Sequence, residues 1–205
     1  MSGINRLHNL RDELHATGAE MAKHRERFNR LRKAEPTRAV SAFNLFQTPE
    51  GLADRMAGMI PSDAQRILEP SAGLGRLYRA ARHARPSASI TLVESSPDCC
   101  GELYRSIEGD SLATLMQRDF MEYRSPEQFD CVLMNPPFKQ GRDIKHIDRA
   151  AQMLRPGGVL IGLCYDGVKQ GKHLRPLCST WEPLGAGVFK ESGTMAGVVL
   201  LTIEV

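Results

Sequence analysis

The 205-residue chain has no apolar run near the roughly 20 residues that a membrane-spanning helix needs. Its N-terminus is polar and charged where a secretory signal would be apolar, so a soluble cytoplasmic protein without a membrane partner is expected. Five cysteines, at 99, 100, 131, 164 and 178, show no CxxC spacing and no His cluster within ligand reach. Reduced thiols are expected, and no metal. A glycine turn at Gly73 and Gly75 lacks a third glycine at 78, where Tyr78 stands. It also lacks the Lys and Ser or Thr that end a phosphate-cradling loop, so a dinucleotide is the wrong ligand for it. Net charge is low too, at +3, but unevenly placed: residues 1–38 hold nine Lys or Arg against five acids, and the remainder is near neutral. A basic appendage on a neutral domain suits an anionic partner such as nucleic acid.

What is present is alternation of strands and helices. Residues 4–33 carry no proline and repeat apolar residues every seven positions, at Leu7, Leu14, Met21 and Phe28. The companion positions Leu10, Thr17, His24 and Leu31 are half polar. A long helix is therefore expected, packed on its own domain or pairing in a homodimer. We place the boundary after residue 38, with the main domain over 39–205. Thr48 before Pro49 predicts a helix N-cap, with proline at the first helical position and the helix running to about Ile60. Strands are then predicted over 66–69, 89–94, 113–117, 129–134 and 159–164, with helices over 76–84, 97–107, 143–154 and 168–177 between them. Residues 181–190 and 198–203, joined by a glycine-containing turn, read as a closing hairpin. Such a chain folds as an α/β domain: a mostly parallel seven-stranded sheet with right-handed crossovers and an antiparallel edge.

Candidate site residues stand where these strands end. Arg66 to Glu69 runs into Pro70, Ser71, Ala72 and Gly73, a turn whose glycines at 73 and 75 let the backbone approach a ligand. The acid at its entrance, Glu69, suits a cationic group better than a pyrophosphate. Glu94 ends the next strand 19 residues beyond Gly75, where a carboxylate can accept from both hydroxyls of a ribose. Asp119 and Phe120 offer an acid and a ring to a planar base. The apolar strand 129–134 runs directly into Asn135, Pro136, Pro137 and Phe138. Proline removes a ladder donor and fixes φ, so the strand must stop there. The residue before a proline is held extended, which directs the Asn135 carboxamide beyond the strand end. A carboxamide oxygen, a carbonyl freed from the ladder and a phenyl face can together hold a planar amino group.

In this order and spacing the residues resemble the class I S-adenosylmethionine-dependent methyltransferases, in the amino-methylating branch with an Asn-Pro-Pro-Phe motif. The likeness runs from residue 43 to 205 and implies a Rossmann-like fold. It implies that Glu69, Pro70, Ser71, Gly73 and Gly75 form the cofactor loop, that Glu94 holds the ribose, and that Asp119 and Phe120 contact the adenine. Phe46, Gln47, Thr48 and Pro49 resemble the segment that meets the methionine carboxylate in DNA adenine-N6 methyltransferases. The implied reaction is in-line methyl transfer from S-adenosylmethionine to a base amine, with acceptors at Asn135 and Pro136 drawing its protons and Phe138 stacking on the base.

A duplex substrate would require the base to be flipped out of its stack, at about a few kcal/mol. Lys139, Arg142, Lys145 and His146 follow the motif, and Lys169, Lys172, His173 and Arg175 follow the fifth strand. Both clusters are expected beside the pocket as phosphate contacts. The residues after Phe138 are consumed in completing the sheet, so relaxed or partner-dependent sequence preference is expected. Adenine N6 in DNA is the favoured target. An RNA amine, a protein glutamine or a non-catalytic scaffold are the alternatives.

Overall fold

Strands form where the chain alternates or runs apolar, and the computed structural model, which describes residues 46–205, holds seven of them in one sheet. They are β1 (Arg66–Glu69), β2 (Ser89–Glu94), β3 (Ala113–Gln117), β4 (Phe129–Met134), β5 (Leu154–Tyr165), β6 (Thr180–Gly185) and β7 (Val198–Glu204). The order across the sheet is β3-β2-β1-β4-β5-β7-β6. The first five are parallel, and β7 runs antiparallel between β5 and β6. Between and after them lie α-helices α1 (Glu50–Gly58), α2 (Arg76–Ala84), α3 (Pro97–Ser106), α4 (Arg142–Ala151) and α5 (Val168–His173), with short 3₁₀ turns at Lys139–Gly141, Arg175–Leu177 and Lys190–Ser192. The long helix, heptad pattern and dimer expected for residues 4–33 lie outside the described residues, as does the domain boundary at 38.

The central strand shows why its sequence lacks alternation. Every residue of β4 is buried, because both faces of the sheet are covered. Cys131 and Leu133 join a core with Met56 of α1, Leu77 of α2 and Leu103 of α3. Val132 and Met134 face the opposite core, with Ile147 and Ala150 of α4. Truncating the fully buried Leu133 to alanine would cost about 3 kcal/mol by lost burial and the cavity left behind.

Several boundaries differ from expectation, each for a local reason. Helix α1 begins at Glu50 with Pro49 as its cap and stops at Gly58. Strand β5, expected from 159, starts at Leu154 and takes in Pro156, Gly157 and Gly158 at an irregularity where pairing with β4 shifts between Phe129 and Cys131. Gly157, at φ +76°, and Gly158 are held there by backbone bonds to Val205 at the end of β7. The helix expected over 168–177 breaks at His173 and continues as a 3₁₀ turn over Arg175–Leu177, because Pro176 cannot continue the α-helical ladder. The antiparallel pair is as expected, but β6 ends at Gly185 and forms the sheet edge, where Pro183 needs no ladder donor. Among the described residues no helix is long and apolar enough to cross a membrane.

Candidate active site

The carboxyl ends of β1, β2 and β4 converge, and each delivers one functional group. Beyond β1 the chain turns through Gly73 and Gly75, both in the left-handed region at φ +54° and +76°. A side chain at Gly75 would meet Leu103 at 2.8 Å, so the turn excludes one sterically as well. The turn is pinned to β2 twice: Ala72 N–H donates to the Val93 carbonyl at 3.1 Å, and Gly73 N–H donates to Glu94 Oε2 at 2.8 Å. Glu94 Oε1 accepts from Ser96 N–H at 2.7 Å. Oε1 also accepts from the Ser95 hydroxyl at 3.5 Å, so Glu94 braces the loop it serves while Oε2 keeps a second lone pair for a ligand hydroxyl.

Glu69 is the anomaly of this end of the sheet. It is 2% exposed, and one carboxyl oxygen, Oε2, has no partner. Burial, then the nearby charge of Glu94, pushes its pKa well above the usual carboxylate range. A cation arriving at the loop would supply the missing partner. Pro70 is buried beside it, and Ser71 is half-buried.

At the end of β3, Asp119 Oδ1 accepts from Met121 N–H at 2.8 Å, and its other oxygen lies 3.9 Å from Arg142. Phe120 is 3% exposed, with the Arg149 guanidinium 5.5 Å above its ring and His146 5.5 Å from its centroid. Of this pair Asp119 is the member left open to a ligand.

Asn135 leaves β4 with its side-chain amide fixed. Its NH₂ donates to the Phe46 carbonyl at 2.9 Å and to Thr48 Oγ1 at 3.1 Å. A carbonyl can only accept, so the nitrogen must face it, and the carboxamide oxygen is turned to the other side as a free acceptor. Thr48, 3% exposed, was expected as a helix cap; its hydroxyl serves Asn135 and makes no cap bond. Phe46 and Thr48, expected at the cofactor carboxylate, meet the Asn135 amide through these two oxygens. Pro136 is buried and Pro137 exposed. The Phe138 ring stands edge-on to Phe189, with centroids 6.5 Å apart and planes at 90°. Ser192, from the same connection as Phe189, donates to the Gln47 carbonyl at 3.1 Å.

Two basic segments flank this motif. Lys139, Arg142 and Lys145 are exposed, as are Lys169, Lys172 and Arg175 on and after α5. The fully buried Asp143 joins the segments, accepting from Tyr165 N–H at 3.0 Å and from the Gln170 amide at 3.0 and 3.1 Å. His146 does not belong with these cations. It is 5% exposed, and burial, then Arg142, lowers its pKa to about 4, so it is neutral at pH 7. Its Nδ1 lies 3.5 Å from Ser71 Oγ, and its Nε2 has no partner. His173 is not free for phosphate either, because its ring lies 2.8 Å from the Asp148 carboxylate. The bracing by Glu94, the Asp143 clamp and the burial of His146 carry no local sequence signal. Each depends on a residue from a distant element.

A sheet in this order, with a glycine turn after β1, an acid ending β2 and Asn-Pro-Pro-Phe after β4, defines a Rossmann-like class I methyltransferase fold. The chain belongs to the methyltransferase small domain family, whose model matches residues 52–183. It is 28% identical over 166 residues to the release factor glutamine methyltransferase of Salmonella typhimurium, covering 66% of this chain and 59% of that protein. Solved structures share the fold at lower identity. One is assigned as an RNA methyltransferase from Pyrococcus horikoshii, with TM-score 0.66 and 16% identity over 89% of this chain and 98% of that one. Another is assigned as a modification subunit of a type I restriction enzyme from Vibrio vulnificus, with TM-score 0.60 and 16% identity over 99% of this chain and 50% of that one. The 16S rRNA guanine-N2 methyltransferase of Thermus thermophilus, solved with AdoMet and guanosine, matches at TM-score 0.57 and 22% identity, over 80% and 44% of the two chains.

The cofactor is S-adenosylmethionine, and the residues present fit it. The orphaned Glu69 oxygen suits its cationic amino acid portion, the half-buried Gly73 lets a ligand approach the backbone closely, and Glu94 Oε2 has a lone pair to spare for the ribose. Among the described residues no cluster of three His, Cys, Asp or Glu could hold a metal.

Proposed function

We propose that this methyltransferase acts on an exocyclic amino group of a nucleic-acid base, adenine N6 in DNA being the favoured target. The observation that carries the reading is the anchored amide of Asn135, whose nitrogen is committed to Phe46 and Thr48 and whose oxygen is thereby presented as an acceptor. An aromatic amine is a weak nucleophile because its lone pair is delocalised into the ring. Hydrogen bonds donated by its N–H groups to Asn135 Oδ1 and the Pro136 carbonyl draw that lone pair onto nitrogen, and Phe138 holds the ring plane. Bound S-adenosylmethionine supplies an electrophilic methyl on its sulfonium. The protein adds alignment and exclusion of water, so no covalent intermediate with the chain is needed.

DNA is favoured over RNA because the Phe46–Thr48 segment, which resembles that of DNA adenine enzymes, is built into the Asn135 site. The six exposed cations offer phosphate contacts, which position a strand without reading its sequence, and this supports a relaxed or partner-dependent preference. The second reading, methylation of a glutamine side chain, rests on the 28% identical relative, since a carboxamide nitrogen needs the same acceptors. Purified protein with labelled cofactor, offered mixed-sequence DNA, total RNA and protein in parallel, tests the choice. Label in DNA, recovered after digestion as N6-methyladenine, is the expected result. Label confined to RNA or to protein would overturn it.

A further inference from the structure

Tyr165 is an exposed aromatic in a place that the methyl-transfer chemistry does not use. It is the last residue of β5 and is 43% exposed. Strand β5 pairs with β4 through Met134 and Gly162, so Tyr165 lies three residues past the last paired position, level with the Asn135–Phe138 turn on the neighbouring strand. The period-two alternation of a strand places its side chain on the face of Ile161 and Leu163, the core against which Phe138 also packs.

Its backbone is fixed although its ring is exposed. Tyr165 N–H donates to the buried Asp143 carboxylate at 3.0 Å, and its carbonyl accepts from Gly167 N–H at 3.0 Å. A Cβ at Gly167 would meet the Tyr165 ring at 2.8 and 2.9 Å and Gln170 Oε1 at 2.7 Å, so the ring lies directly against the Gly167 backbone. Gln170, in turn, is held by the same Asp143. Exposing an aromatic on a rigid mount forgoes its burial without gaining mobility. Lys169 and Lys172 are exposed on the helix that follows directly, and Lys139, Arg142 and Lys145 on the segment that Asp143 ties to it. An open ring followed, past the exposed Asp166, by a helix with two exposed lysines is complementary to a single nucleic-acid strand, whose bases stack and whose phosphates are anionic.

We propose that Tyr165 is a stacking platform for a nucleobase of the strand that enters the site, with Lys169 and Lys172 on its phosphates. The inference rests on the nucleic-acid reading above. The base is either the target or its neighbour, held unstacked while the amine is presented to Asn135.

The test is equilibrium binding of fluorescein-labelled single-stranded and duplex oligonucleotides to the full-length protein with S-adenosylhomocysteine present. Tyr165→Ala should weaken binding about tenfold, the size of one lost stacking contact. Tyr165→Phe, which keeps the ring, should bind as the parent does. Calorimetric affinity for S-adenosylhomocysteine should be unchanged in both, which separates lost stacking from misfolding. Lys169→Gln with Lys172→Gln should lower the salt dependence of binding by about two charges' worth. Equal oligonucleotide binding by parent and Tyr165→Ala would overturn the platform while leaving the nucleic-acid reading intact. If the parent binds no oligonucleotide and methylates an unstructured glutamine-containing peptide, that reading fails, and the platform with it.

Discussion

Two buried carboxylates at opposite ends of the same sheet have opposite surroundings. Asp130, second residue of β4, stands at the amino end and is 7% exposed. Its Oδ2 accepts from Gln65 N–H at 2.8 Å and Arg66 N–H at 2.7 Å, and its Oδ1 from Arg155 Nε at 2.5 Å. Burial alone would raise its pKa, but the Arg155 hydrogen bond and the two backbone donors outweigh it and hold the carboxyl below the ordinary range. Glu69, at the carboxyl end of β1, is as deeply buried, yet one oxygen has no partner and its pKa is driven the other way. A satisfied carboxylate joins three strands. An unsatisfied one is costly in the free protein and useful only when something cationic arrives. The same asymmetry recurs at His146, whose Nε2 is also buried without a partner at the ligand end.

The contrast can be broken experimentally, beginning with the strongest effect. Asn135→Ala removes the acceptor at the reacting amine. Methyl transfer should fall by at least about a hundredfold, the scale for one hydrogen bond to charge developing in a transition state. Calorimetric affinity for S-adenosylmethionine should not change, and unaltered turnover would refute the role given to the amide. Asp130→Ala should do the reverse. It leaves two part-buried backbone donors and the Arg155 Nε–H without their acceptor and should cost about 2 to 3 kcal/mol in urea unfolding, with kcat kept wherever the protein is folded.

Glu69→Gln should weaken cofactor binding about tenfold, the order of one charge-assisted hydrogen bond. It should also change how stability depends on pH. A carboxyl whose folded pKa is raised binds more protons folded than unfolded, so its contribution is complete below the unfolded value near 4.3 and is lost as pH rises through the folded value. The cofactor-free protein should lose stability above about pH 4.3 through this group, and Glu69→Gln should flatten that slope in thermal melts. Asp130, with a lowered pKa, contributes in the opposite sense: its stabilisation is present above about pH 3.9 and lost on acidification. Parallel pH slopes in the two variants would sink the comparison. Thr48→Val is the mildest case. It removes one of the two partners of the Asn135 amide and should lower kcat about fivefold, as expected for one neutral hydrogen bond, with the KM for cofactor unchanged.

Much of this architecture is legible along the chain, because it depends on neighbours. Pro136 and Pro137 end β4, Gly73 and Gly75 permit the turn, Glu94 closes β2, and the apolar run over 129–134 announces a strand covered on both faces. Each follows from backbone sterics or side-chain period within a few residues. What could not be read is which polar group meets which. Thr48 before Pro49 has the local form of a cap, yet its hydroxyl goes to Asn135, 87 positions away. His146 follows Lys145 and Arg142 as another basic residue, but lies on the inner face of α4 against Phe120 and Ser71, and is therefore neutral.

By itself, then, the sequence determined the strands, the turns and the identity of the groups at the strand ends, since these obey short-range rules. Only the tertiary structure decided that Phe46 and Thr48 turn the Asn135 amide, that Glu94 braces Gly73, that Asp143 brings two basic segments together, and that Glu69 is left unpaired. The physical reason is that a hydrogen bond or an unmet lone pair depends on where distant segments pack, and that is set by burial of the whole sheet.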